Sequence, residues 1–175
     1  MIKQRAFPVE PWTVRETELD LDRLAQSESV FALSNGHIGW RANLDEGEPS
    51  GLPGSYLGGF YETRALPYAE AGYGYPEDGQ TVVNVTNGKV IRLLVEDEPF
   101  DVRYGVVRSH ERVLDLRAGT LSRTVEWESP TGRAVRISST RLVSFSQRAV
   151  AAIHYEVEPL DEEMPVVVQS ELVTN

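Results

Sequence analysis

Cysteine is absent from the 175 residues, so no disulfide braces the fold and no thiolate serves as nucleophile or ligand; a cytoplasmic location is expected. Long apolar runs are missing too. Nowhere do about 18 consecutive apolar residues occur, and the opening MIKQRAFPVEPW lacks the hydrophobic stretch of a signal peptide, so no membrane partner is expected. Basic charge is scarce, with 17 Lys+Arg against 27 Asp+Glu and a formal charge of −10, which argues against a nucleic-acid partner. The three histidines, His37, His110 and His154, lie far apart without metal-ligand spacing. No nucleophile elbow, phosphate loop or zinc pattern occurs, so neither a metal nor an organic cofactor is expected.

What is present is β-periodicity. The length suits one domain with a real core. Residues 9–18 alternate weakly, predicting a first strand with Trp12, Val14, Glu16 and Glu18 on one side. A single short helix is predicted over 20–26, with Asp20 as N-cap and Leu21, Leu24 and Ala25 on one face. The apolar run 30–33 then leads to Asn35-Gly36, the strongest short signal for a two-residue hairpin turn, with Ile38 and Trp40 on the return strand. Residues 45–80, dense in Gly, Pro, Glu and Tyr, read as a long irregular loop. Its rings, Tyr56, Phe60, Tyr61, Tyr68, Tyr73 and Tyr75, predict an ordered one, since disordered segments are poor in aromatics. Asn87-Gly88 is a second hairpin signal between Val83, Val85 and the run 90–95, which Glu98-Pro99 closes.

The best-defined hairpin spans 121–145. A three-residue connection, Pro130-Thr131-Gly132, suits a type I turn closed by a left-handed glycine. It pairs Trp127 with Val135, Val125 with Ile137, Arg123 with Ser139, and Leu121 with Arg141. Val135, Ile137, Val143 and Phe145 then share a face. Two arginines therefore stand on an apolar face. An isolated buried guanidinium is too costly to leave bare, so Arg123 and Arg141 are expected to reach carboxylates or carbonyl oxygens, or to emerge at the sheet's end. Residues 101–150 carry nine arginines against five acids, a bias consistent with paired arginines inside a sheet. Strands over 148–158 and 164–173 complete a count of about ten. Such a pattern predicts an all-β, antiparallel β-sandwich with one short helix.

The run SESVFALSNGHIGWRANLDEG, then GSYLGGFYE, and later LDLRAGTLSRTVEWESPTGRAVRISSTRLVSFSQRAVAAIHYEVEPL, resemble the N-terminal domain of glycoside hydrolase family 65, the phosphorylases and hydrolases of maltose, trehalose, kojibiose and related α-glucosides. The resemblance implies a supersandwich like that of galactose mutarotase, truncated within 1–175, with the general acid on a separate (α/α)6 barrel that this chain lacks. The expected function is then a non-catalytic domain that supports the barrel's active site or a dimer interface, with inorganic phosphate as a co-substrate handled on the barrel. Expected partners are that barrel, an α-glucoside disaccharide through the parent enzyme, and a second copy. An independent carbohydrate-binding module is the alternative, and a freestanding mutarotase-like enzyme would need a histidine and a carboxylate in one cleft. Neighbouring acids such as Glu16 with Glu18, Glu46 with Glu48, and Glu126 with Glu128 arise by strand alternation and are not expected to be catalytic. For docking or substrate-side contact the candidates are Asn35, Trp40, Arg41, Asn43, Tyr56, Phe60, Tyr61 and Glu62.

Overall fold

A computed structural model describes residues 7–67 and 72–174. Its frame is a five-stranded antiparallel sheet in the order β1-β8-β9-β10-β11, built from Thr13–Glu16, Val106–Asp115, Thr120–Glu128, Ala134–Val143 and Ala151–Pro159. Two smaller antiparallel sheets complete the fold. One is β2-β3-β4-β5 (Leu33–Ser34, Ile38–Trp40, Ser55–Ala65, Asp78–Asn84), the other β12-β6-β7 (Val166–Val173, Asn87–Val95, Glu98–Pro99).

The inner face of the large sheet changes character along its strands. At one end Leu114, Leu121 and Val143 pack with Phe31, Leu33, Ile38 and Ala42. At the other, Val125, Trp127, Val135 and Ile137 pack with Leu93, Val95 and Phe100. Between these apolar clusters runs a charged row, Arg112 opposite Arg123 opposite Ser139, with Arg141 beside it. Each of the four is buried.

The hairpin of β9 and β10 has the predicted register at all four pairs. Its turn is as expected: Gly132 N–H donates to Ser129 O at 2.9 Å, Ser129 N–H to Arg133 O at 2.8 Å, and Gly132 sits at φ +89°. Phe145, predicted to share the inner face, lies past the end of β10 and is exposed.

Elsewhere local signals were overridden. Asp20 does cap a turn, its carboxylate accepting from Asp22 N–H at 3.0 Å, but the 3-10 turn Leu21–Arg23 runs on into the helix α1, Leu24–Val30. The helix takes in Val30, and Leu21 is exposed rather than packed. At Asn35-Gly36 the central pair of the turn is Gly36-His37, because Asn35 N–H donates to Ile38 O at 3.2 Å, and only Gly36 has positive φ. Asn87-Gly88 makes no hairpin. β5 and β6 belong to different sheets, and Asn87 instead begins β6, which pairs with β12. Glu98-Pro99 is a short strand against Leu94 and Val95 rather than a stop. The stretch 45–80 contains all of β4 and the start of β5, a long ribbon where a loop was expected. Tyr68 lies outside the described residues. β8, which has His110 and Arg112 on its inner face, had no counterpart among the predicted strands.

Candidate functional site

The segment between β3 and β4 crosses the interior between the two apolar clusters and supplies the acids that the inward arginines require. Arg141, on β10, holds Asp45 Oδ1 through Nε at 3.0 Å and Nη2 at 2.5 Å, and donates from Nη1 to Asn43 O at 2.8 Å. Arg123, on β9, reaches Glu46 through both terminal nitrogens at 2.5 and 3.0 Å, and Asp45 Oδ2 at 3.2 Å. Ser139 Oγ donates to Asp45 Oδ2 at 2.8 Å. Two buried guanidinium groups thus face two buried carboxylates. Burial alone would raise the Asp45 pKa, but the charges of Arg141 and Arg123 hold it at about 2.

A second cluster closes the same belt on the β1 side. Arg112 Nε and Nη2 donate to Glu16 Oε1 at 3.0 and 2.8 Å, Arg112 Nη1 to Ala42 O at 3.0 Å, and Ser27 Oγ of α1 to Glu16 Oε2 at 2.6 Å. His110 Nε2 lies 3.2 Å from Glu16 Oε1. Burial raises the Glu16 pKa, yet His110, Arg112 and Ser27 outweigh it and bring it to about 2. Burial lowers that of His110, so the ring is neutral and donates Nε2–H to the carboxylate. A serine, an acid and a histidine thus meet, in the wrong order for nucleophilic catalysis. The carboxylate stands between Ser27 and His110, so the imidazole does not touch the hydroxyl, and Glu16, paired with Arg112 and held at about 2, is too weak a base to activate it. The cavity beside Glu16 and Ser27 measures about 90 Å³, well below the ~300 Å³ at which ligand clefts begin. Sequence reasoning missed this cluster because it missed β8; the Asp115–Gly119 turn leading into β9 was the available signal.

A third set of charges ties down the glycine-rich connection. Glu28 of α1 accepts from Gly51 N–H at 3.2 Å and Leu52 N–H at 2.5 Å. Lys89, fully buried on β6, donates from Nζ to Gly54 O at 3.1 Å, Asn87 Oδ1 at 2.8 Å and Ser55 Oγ. A Cβ at Gly51 would sit 2.8 Å from the Ala25 nitrogen, so glycine lets the connection lie against the helix.

The eight candidate residues fall into three groups. Asn35, Arg41 and Asn43 are engaged internally. Asn35 Nδ2 donates to Ser144 O at 2.6 Å and Arg148 O at 3.0 Å, while its Oδ1 accepts from His37 and Ile38 N–H. Arg41 donates to Leu52 O, Ser29 Oγ and Ala25 O. Asn43 is buried and donates to Leu44 O at 3.1 Å. Trp40 and Tyr56 are half-buried, the Lys89 ammonium lying 5.8 Å from the Trp40 ring centre. Phe60, Tyr61 and Glu62 stand exposed on the β4–β5 ribbon.

Fold and interior together define an antiparallel β-sandwich domain whose buried acids are committed to arginine. The chain belongs to glycosyl hydrolase family 65, N-terminal domain, whose profile matches residues 14–175. It is similar to an uncharacterized glycosyl hydrolase of Mycobacterium tuberculosis (strain ATCC 25618 / H37Rv), 71% identical over 100% of this chain and 22% of that protein. The alpha,alpha-trehalose phosphorylase of Thermoanaerobacter brockii is 38% identical over 91% of this chain and 21% of its own length. Among solved structures, a putative kojibiose phosphorylase from human microbiome matches 87% of this chain and 21% of its own with a TM-score of 0.76 at 32% identity. The chain therefore spans about a fifth of the relatives it matches. Among the described residues no helix is long and apolar enough to cross a membrane.

Proposed function

We infer that this chain is the non-catalytic supporting domain of a cytoplasmic enzyme that cleaves α-linked glucose disaccharides, by phosphorolysis or hydrolysis, on a separate (α/α)6 barrel. Phosphate, where it is the nucleophile, is handled there. One observation carries the reading: Glu16 and Asp45 are buried, locked to guanidinium groups and held at about 2. A glycosidic general acid must instead hold its proton near neutral pH at an accessible position. The phosphorylase names of the relatives supply the substrate class. Incubating the chain with maltose, trehalose or kojibiose, with and without phosphate, yields no glucose release; measurable turnover overturns the reading.

The second reading, a carbohydrate-binding module, draws on Phe60, Tyr61, Tyr73 and Tyr75, all exposed. Calorimetric titration with the same sugars at millimolar concentration gives no heat under the first reading and a saturable isotherm under the second.

A further inference from the structure

Asn-Gly occurs twice in the chain, as Asn35-Gly36 and Asn87-Gly88. Such a pair can cyclise. With no side chain on the second residue to stand in the way, the glycine amide nitrogen attacks the asparagine Cγ and expels ammonia. The fold gives the two pairs opposite surroundings.

The Asn35 amide is held at both ends. Its Nδ2 donates to Ser144 O and Arg148 O, and its Oδ1 accepts from His37 and Ile38 N–H. Gly36 N–H, on the attacking nitrogen, donates to Ser34 Oγ at 3.2 Å. Turning Cγ towards that nitrogen breaks these bonds together, and a carboxylate formed there would face two carbonyl oxygens.

Asn87 stands differently. Its Oδ1 accepts twice from Lys89, from Nζ at 2.8 Å and from the backbone N–H at 3.1 Å, while among the described residues its Nδ2 donates to nothing. Gly88 lies in a register irregularity. β6 pairs Asn87 with Val173 and Val90 with Glu171, so Gly88 and Lys89 share Leu172 between them and the ladder is locally open. Asn87 is half-buried on the wall of a cleft of about 190 Å³ that it shares with Asn43, Ser50 and Arg92, which leaves room for water. The Lys89 ammonium is fully buried, and its hydrogen-bond partners Gly54 O, Ser55 Oγ and Asn87 Oδ1 are all neutral oxygens. The charges of Glu28 on α1 and Arg141 on β10 act on it with opposite sign.

We propose that Asn87-Gly88 is a self-modifying site at which Lys89 promotes conversion of Asn87 to aspartate. Gly88 N gives its proton to solvent and bonds to Cγ. Negative charge develops on Oδ1, where both Lys89 donors already point, and a donor pair of this kind in a low-dielectric site stabilises the developing oxyanion. The Cγ–Nδ2 bond then breaks, ammonia leaves with a proton from solvent, and a five-membered imide remains. Water adds at Cγ, the Cγ–N bond breaks, and Gly88 N regains its proton. One water enters and one ammonia departs. The new carboxylate gives the buried ammonium a charged partner in place of a neutral oxygen.

Peptide mapping by mass spectrometry, on the chain held warm at neutral pH, reads aspartate formation at positions 35 and 87 side by side, so Asn35 is the internal reference. Asn87 converts at least about tenfold faster. In urea the two sites convert alike, because only the fold distinguishes them. Lys89→Met slows position 87 at least about tenfold and leaves position 35 unchanged. Equal rates in the folded chain overturn the proposal; so does a Lys89→Met chain that converts Asn87 as fast as the parent. A pH series on the unsubstituted chain tests the same point without a variant. Lys89 loses its charge from about 7 upwards, so the ratio of the two rates falls as pH rises through that value, and a flat ratio overturns the role of Lys89. Asn87→Asp raises the thermal midpoint by about 2–4 °C; a lowered midpoint overturns the pairing of the product with Lys89.

Discussion

At the scale of single residues, the interior is organised by the need to pair buried charge. Removing one partner leaves the other desolvated, so Asp45→Ala lowers the unfolding free energy by about 3–5 kcal/mol in urea titrations. Proton linkage gives two further tests in two separate pH windows. Asp45 and Glu16 are held at about 2 in the folded chain, below their unfolded values of about 4. Their stabilisation is complete above the unfolded values and is lost as pH falls towards 2; Glu16→Gln flattens the dependence of thermal midpoint on pH in that window. Lys89 gives a slope of the same sign at higher pH, as a penalty relieved rather than a stabilisation gained. Burial, assisted by Arg141, lowers it to about 7, against about 10.4 unfolded. The unfolded state binds more protons between those values, so stability climbs with pH from about 7 to about 10. Lys89→Met removes that slope, and a slope that survives the substitution assigns it elsewhere. The pairing of Arg123 and Arg141 was legible from alternation, since an inward arginine must find oxygen. The identity of the partners was not: Asp45 and Glu46 sit in a segment that reads locally as loop, and Lys89 and Glu28 look like ordinary surface charges.

At the scale of elements, legibility followed how local the determinant was. The β9–β10 hairpin needs only period-two alternation and one left-handed glycine, both contiguous in sequence. Gly132→Ala at φ +89° costs about 1–2 kcal/mol by chemical denaturation, because the Cβ disfavours that backbone region. The β8–β9 connection follows the same logic, with Asp115 Oδ1 accepting from Arg117 and Ala118 N–H and Gly119 at φ +68°. β8 itself was hidden. His110 and Arg112 occupy inward positions where alternation calls for apolar residues, and its register slips between Val107 and Ser109. The ribbon was hidden for another reason: glycine and proline around it mimic a loop, and its strands are stabilised by each other across residues that read as gap. Gly105 shows how closely such pieces fit. It packs on the Trp127 indole, and an added Cβ would meet Glu128 O at 2.2 Å. Gly105→Ala is therefore expected to lower the thermal midpoint more than Gly132→Ala, measured side by side.

At the scale of the whole molecule, the three-stranded sheet bears on where the domain ends. Among the described residues β12 pairs with β6 on one side only, and the residues opposite the buried Val95 and Leu93, namely Val166 and Val168, are exposed. An uncovered apolar edge of this kind invites a further strand. Where, as proposed, this chain is the N-terminal part of a longer enzyme, the amides of β12 exchange hydrogen at least about tenfold more slowly there than in this chain; equal rates would place the domain's edge at β12. By itself the sequence determined the fold class, the central hairpin register, the absence of thiol chemistry and the demand for partners at Arg123 and Arg141. All of these follow from periodicity and desolvation, which act within a few residues of chain. Only tertiary structure decided which acids answer that demand, that Ser27, Glu16 and His110 meet in an order unsuited to nucleophilic catalysis, and that a glycine-rich stretch becomes a projecting ribbon. Those outcomes depend on which distant strands become neighbours, and pairing energy between residues many tens of positions apart leaves no periodic mark on either one.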